Sequence, residues 1–124
     1  MSTHPQVLKF QQVSSSLLSA LNAQQQARAA YDQARDQYDD QRQHLILKGL
    51  PALRERCPAE EREAHLASAL KSHTAALREA RDALRRADTA LEAARVQERA
   101  ERETLRSLQR DLEVQAAHAH PKVV

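Results

Sequence analysis

Leucine recurs at every seventh position through the second half of the chain. The row contains Leu70, Leu77, Leu84 and Leu91, passes through Glu98, and resumes at Leu105 and Leu112. An apolar period of seven residues predicts a helix that is packed against another helix. Alanine follows three of these leucines at a distance of three residues, at Ala80, Ala87 and Ala94. Because large and small side chains alternate, the pattern predicts a closely approaching helix pair.

The first half of the chain carries the same pattern. One heptad row contains Phe10, Leu17, Gln24, Tyr31, Tyr38 and Leu45, and a second row contains Val13, Ala20, Ala27, Ala34 and Gln41. We predict a first helix over about residues 5–48, because Gly49 and Pro51 are helix terminators. Pro58 suits the start of a second helix, over about residues 58–118. The short tip at 49–58 makes the helices antiparallel neighbours, so residues 1–124 are predicted to form one domain, an all-α coiled-coil hairpin.

The composition agrees with a narrow apolar seam and excludes an ordinary globular core. The 124 residues include 1 Gly, 2 Tyr, 1 Phe and no Trp, which is too little bulk for such a core. The net charge is +2, and acidic and basic residues alternate along the helices, as on a solvated surface. We find no signal peptide, no apolar run that could span a membrane, and a single cysteine, Cys57. These features lead us to expect a cytoplasmic protein, or one exported without a classical signal.

The two predicted arms differ in length, and the difference leaves part of the second helix uncovered. At 1.5 Å per residue the first arm is roughly 65 Å long and the second roughly 90 Å. A turn centred near Leu53 places Gln6 opposite Ala100, so residues 101–118 have no partner in the hairpin. This overhang carries Leu105, Leu108, Leu112 and Val114. Since uncovered leucines at helical spacing favour association, we predict a protein-interaction site there.

Three arrangements would cover the overhang. Two hairpins can associate into a four-helix bundle, which makes the unbound protein a homodimer, or the overhang can bind a different protein. The third arrangement uses the serines at positions 14–16, which favour helix caps. A break there would let a short helix from Pro5 to Val13 fold back over the second arm.

Five polar residues interrupt the two apolar seams. They are Gln24, Gln41, His73, Glu98 and Glu101. Polar residues at seam positions weaken packing but can fix the register of a helix pair. Glu98 and Glu101 coincide with the predicted end of the overlap between the arms, so we expect the intramolecular seam to stop there.

The sequence offers no chemical motif. Its histidines are His4, His44, His65, His73, His118 and His120, and no two of them have the helical spacing of a zinc pair. Cys57 has no neighbouring histidine that would activate it as a nucleophile. Phosphate-binding loops are absent as well, and a thin hairpin provides no concave active site. We therefore expect no catalytic residues, no metal site, no cofactor and no enzymatic activity.

We predict a non-catalytic interaction or adaptor protein that acts through its hairpin and its terminal leucines. In architecture the chain resembles the cytoplasmic stalk proteins of flagellar and type III secretion export, which are small antiparallel coiled coils. That resemblance rests on the unequal arms and the adhesive end, and implies a stalk or chaperone whose joined termini contact a hexameric ATPase. A nucleic-acid-binding helix is the second alternative. It would use Arg78, Arg81, Arg85 and Arg86, but Glu79, Asp82 and Asp88 interleave with these arginines and argue against it.

Overall fold

The protein is all-helical in the parts that the structure describes. The structure is a computed structural model, and it describes residues 4–49 and 58–119. Helix α1 is Pro5–His44 and continues into a π-helical turn, Leu45–Gly49. Helix α2 is Ala59–Ala69, and helix α3 is Lys71–Ala119. The long helices α1 and α3 pack against each other, so the predicted all-α hairpin is confirmed.

The chain divides into two compact units. Unit 1 combines Met1–Ala23 with Asp88–Val124, and unit 2 is Gln24–Ala87. In unit 1, Val13 and Leu91 are buried, with 6% and 5% of their surface exposed. Leu66 and Leu70 are the buried apolar residues of unit 2, and Leu70 is the most deeply buried at 1%. Every residue of the two predicted rows of α1 is buried or half-buried, as is every leucine and alanine of the rows from Leu70 to Ala94.

The register of unit 1 is fixed by two polar contacts between its helices. The side-chain amide Nε2 of Gln6 donates to Oε2 of Glu101 at 2.6 Å. Lys9 Nζ lies 3.2 Å from the other carboxylate oxygen of Glu101. The sequence prediction placed Gln6 opposite Ala100, and the observed partner is one residue further on. The overlap of the arms therefore includes Glu101, which the prediction assigned to the overhang.

The helix ends differ from the prediction in two places. The α-helical hydrogen-bond pattern of the first arm ends at His44 instead of Lys48, and the wider turn of the π-helix carries the chain to Gly49. The second arm is interrupted at Leu70, where φ is −95° and ψ is 7°. The backbone bonds from Leu70 N to Leu66 O at 3.0 Å and from Thr74 N to Leu70 O at 2.8 Å continue across the interruption. Most of the predicted tip, with Cys57, lies outside the described residues.

The serines at positions 14–16 do not break α1. The helix is continuous from Pro5 to His44, so the predicted alternative of a short folded-back helix is wrong. Ser16 shows the physical reason, because its hydroxyl donates to the carbonyl of Gln12 at 3.0 Å, one turn earlier. A serine that bonds within its own helix is accommodated without a cap or a turn.

Candidate protein-interaction surface

Helix α3 extends well beyond its last polar contact with α1. That contact is made by Glu101, and the helix continues to Ala119. At 1.5 Å per residue, the segment over residues 102–119 is about 27 Å long. We call residues 102–119 the terminal segment. It belongs entirely to unit 1, and it contains the predicted interaction residues.

The four predicted interaction residues differ in exposure. Leu105 and Leu108 are half-buried, whereas Leu112 and Val114 are 54% and 55% exposed. The prediction that all of residues 101–118 lack a partner is therefore wrong at the start of that range, where Glu101 binds Gln6 and Lys9. Exposure of these four side chains increases toward the end of α3, as expected for a helix that extends beyond the helix it packs against.

Three of the four residues share one face of α3. Leu105, Leu108 and Leu112 are separated by three and four residues, which places them on one side of a helix. They also continue the two heptad rows that pack against α1 in unit 1. We call these three residues the terminal leucine face. Val114 follows Leu112 by two residues, which is about 200° around the helix, so it lies outside this face.

Two carboxylates mark the start of the terminal segment. Glu98 is buried, with 8% of its surface exposed, and its Oε1 lies 2.5 Å from Nη2 of Arg102 on the next turn. The pKa of Glu101 is lowered, first by the hydrogen bond from Gln6 and further by the hydrogen bond and positive charge of Lys9, while burial opposes the shift. These partners stabilise the charged form of Glu101. The seam therefore changes from apolar to polar where α1 begins.

The borders of the terminal leucine face carry a few charges of both signs. On one side lie Thr104 and Asp111, which line a shallow groove together with Glu103, Ser107 and Leu108. On the other side lie Gln109 and Ala116, with Arg102 and Glu113 next to them. An exposed pair, Arg106 Nη1 and Glu103 Oε1 at 3.2 Å, is on the part of the helix that faces away. Because the border charges are few and of both signs, the face is suited to another helix with apolar residues and provides no concentrated charge for an ionic ligand.

No metal-binding cluster is found within residues 4–49 and 58–119. No three His, Cys, Asp or Glu side chains come together there in a way that would hold an ion. His73 lies in the seam of unit 2, half-buried, with its Nδ1 3.5 Å from the hydroxyl of Ser72. Cys57 and His120 lie outside the described residues. The expectation of no metal and no catalytic site stays a prediction.

Sequence reasoning missed a second group of exposed apolar residues, at the other end of α1. Ile46 and Leu47 are 49% and 72% exposed in the π-helical turn of unit 2. Ile46 and Arg42 line a surface cleft together with Arg62, Glu63 and Leu66. The apolar run at positions 45–47 was the available signal, but it is too short to span a membrane and the heptad row accounts for Leu45 alone. A π-helical turn changes the angular spacing of its residues, so the heptad does not predict which of them face outward.

Comparison with known proteins gives no family assignment. The chain matches no protein-family model, no curated protein and no solved structure. Among the described residues, we find no helix with both the length and the apolar character that crossing a bilayer requires.

Proposed function

We propose that this protein is a non-catalytic adaptor that binds other proteins through the terminal leucine face of α3. A single observation carries the proposal. The face continues the seam rows of unit 1 beyond the start of α1, and its last member, Leu112, is 54% exposed. Exposed leucines that extend an existing helix interface favour binding of a further helix.

The form of the helix supports this mode of binding. The terminal segment is helical up to Ala119 although α1 begins at Pro5, so its leucines are presented on an already formed helix. Binding of a partner helix therefore costs less conformational entropy than it would if the segment had to fold on binding. The few border charges have both signs and give no strong attraction of one sign, so recognition should rely on apolar packing and depend weakly on salt.

The unequal arms and the uncovered end are the same features that underlie the resemblance to export stalk proteins. Contact of this end with an export ATPase is one form of the proposed function, and it stays a prediction. The arginines at positions 78, 81, 85 and 86 lie among acidic neighbours in unit 2 and give no comparable support to nucleic-acid binding.

The proposal is tested by comparing Leu112→Ser with Val114→Ser. Both side chains are exposed to the same extent, at 54% and 55%, but they lie on different sides of one helix. Each variant and the wild type are immobilised and exposed to an extract of the source cells, and retained proteins are identified by mass spectrometry. We expect retention by the wild type and by Val114→Ser, and loss of the same proteins with Leu112→Ser.

Circular dichroism of the three proteins provides the control for folding, and all three spectra should be equally helical. If the two variants retain the same proteins in the same amounts as the wild type, the terminal leucine face is not the binding surface.

A further inference from the structure

We propose that the terminal segment pairs with the terminal segment of a second copy of the chain, antiparallel and around a twofold axis. This inference rests on the proposed function and names what covers the terminal leucine face when no other protein is bound. Three features of unit 1 lead to it, which are the continuity of the seam, the place where α1 begins, and the positions of the leucines in the segment.

The terminal leucine face is continuous with an established interface. Leu91 and Ala94 belong to the seam that α1 covers, and Leu105, Leu108 and Leu112 occupy the same two heptad rows further along α3. A helix that covers these leucines therefore lies where α1 would lie if it were longer. A second terminal segment of the same length, about 27 Å, fills that position.

The position of α1 decides the direction of pairing. In a parallel, in-register pair, each α3 would pack against the other over residues 88–101 as well. That part of α3 already packs against α1 in unit 1, as the contacts of Gln6 and Lys9 with Glu101 show. Antiparallel segments overlap only beyond Glu101, so both copies keep α1 in place.

Two measures place the centre of the antiparallel pair within half a residue of each other. The overlap of residues 102–119 with their copies has its midpoint between Arg110 and Asp111. Leu108 and Leu112 are equally distant from residue 110, so each of them lies opposite the other residue of the second copy. The leucines meet at the centre of the overlap, where a helix pair excludes water best.

Charge is compatible with pairing of identical segments. The terminal segment contains three basic residues, Arg102, Arg106 and Arg110, and three acidic residues, Glu103, Asp111 and Glu113. Two such segments have no net repulsion. One local exception follows from the geometry, because the two copies of Asp111 lie at the same height on the same border of the pair. Asp111→Asn should therefore tighten the dimer by roughly twofold at low salt.

Light scattering over about 10 µM to 1 mM tests self-association, since an interface this short gives a weak dimer. We expect a concentration-dependent dimer for the wild type and for Val114→Ser. Leu112→Ser should weaken dimerisation by about tenfold or more, because each dimer loses two leucines from its centre. A wild type that is monomeric throughout this range would overturn the proposal.

Crosslinking tests the direction of pairing. In a Cys57→Ser background, Asp111→Cys and Thr104→Cys are treated with a short bis-maleimide. We expect crosslinked dimers with Asp111→Cys only, because two copies of Thr104 are separated along the antiparallel pair by about 20 Å. Crosslinking of Thr104→Cys, or equal absence of crosslinks in both variants, would overturn the antiparallel arrangement.

The two proposals fail in different ways. A monomeric wild type that still retains another protein through Leu112 rejects self-pairing and leaves the adaptor function standing. Failure of both self-association and retention rejects both.

Discussion

One heptad row of α1 is half-buried in unit 1 and exposed in unit 2. In unit 1 this row contains Val7, Ser14 and Leu21, and in unit 2 it contains Arg28, Arg35 and Arg42. The first three side chains are half-buried, and the three arginines are exposed. In unit 2 the guanidinium of Arg35 lies 5.9 Å from the ring centroid of Tyr31, so an arginine borders the seam there. Unit 1 buries a wider stripe of α1 than unit 2 does.

Exposed apolar residues follow the same division. In unit 1 they are Leu8, Leu18, Val96, Leu112 and Val114, whereas unit 2 has Ile46 and Leu47 beside its π-helical turn. Among the described residues, the exposed apolar side chains of unit 1 lie along its long helices, whereas those of unit 2 lie beside the π-helical turn. The comparison indicates that the two seam rows determine where the helices pack together. The residues in the neighbouring rows determine which apolar side chains stay exposed.

The largest effect is expected from a cavity in the core of unit 2. Leu70→Ala removes the most deeply buried side chain, and such truncations cost about 2–5 kcal/mol of unfolding free energy. Leu91→Ala is the matched change in unit 1, where 5% of the leucine is exposed. Urea denaturation followed by circular dichroism measures both. A loss below about 1 kcal/mol for Leu70→Ala would contradict its role as the centre of the core.

A second substitution extends the arginine row of α1 from unit 2 into unit 1. Leu21→Arg gives α1 an arginine at the row position that precedes Arg28, and it removes a half-buried leucine. We expect a loss of about 1 kcal/mol, because a half-buried leucine contributes less than a fully buried one and the arginine stem still covers apolar surface.

Arg28→Leu is the reciprocal change, and urea denaturation should show little loss of stability for it. If Leu21→Arg lowers the unfolding free energy no more than Arg28→Leu does, the wider buried stripe of α1 in unit 1 does not stabilise the protein. The difference in burial between the two units would then have no effect on stability.

Acid should lower the stability of unit 1 through protonation of Glu101. The effect should be smaller than that of Leu70→Ala or Leu21→Arg. Because its pKa is lowered below 4.5 in the folded protein, protonation favours the unfolded state. The stabilisation is fully present above the unfolded value of 4.5 and is lost as the pH falls through the lower, folded pKa. Thermal unfolding between pH 7 and pH 3 measures this loss.

Glu101→Gln should flatten that pH dependence, because it removes the titrating group. Glu103→Gln provides the matched control, since the Glu103 side chain is 67% exposed. An unchanged pH profile in Glu101→Gln would show that other carboxylates cause the acid sensitivity.

The sequence predicted the helices and their seams well, because a seven-residue period over many turns determines which side of each helix is buried. The turn placed near Leu53 also located the end of the overlap to within one residue, and Glu98 and Glu101 coincide with that end. The exposure of Ile46 and the interruption at Leu70 escaped prediction, since both depend on local changes of helical winding. Gly49 and Pro51 indicate the end of the first helix but not the π-helical winding before it, and no Gly or Pro lies near Leu70. Val114, which the prediction grouped with Leu112, lies outside the terminal leucine face, and its part in binding stays a prediction.

The smallest effect concerns the serines of α1, which lie in unit 1. Ser16→Ala removes a hydroxyl that donates to the carbonyl of Gln12, and alanine has the better helix propensity. A serine that bonds back to its own helix slightly destabilises it. We therefore expect a gain of about 0.5 kcal/mol in unfolding free energy by urea denaturation. A loss of unfolding free energy instead would mean that the Ser16 hydroxyl stabilises α1. The serines would then lower the stability of the helix at positions 14–16, as the sequence predicted, and the hydrogen bond of Ser16 would offset part of that loss.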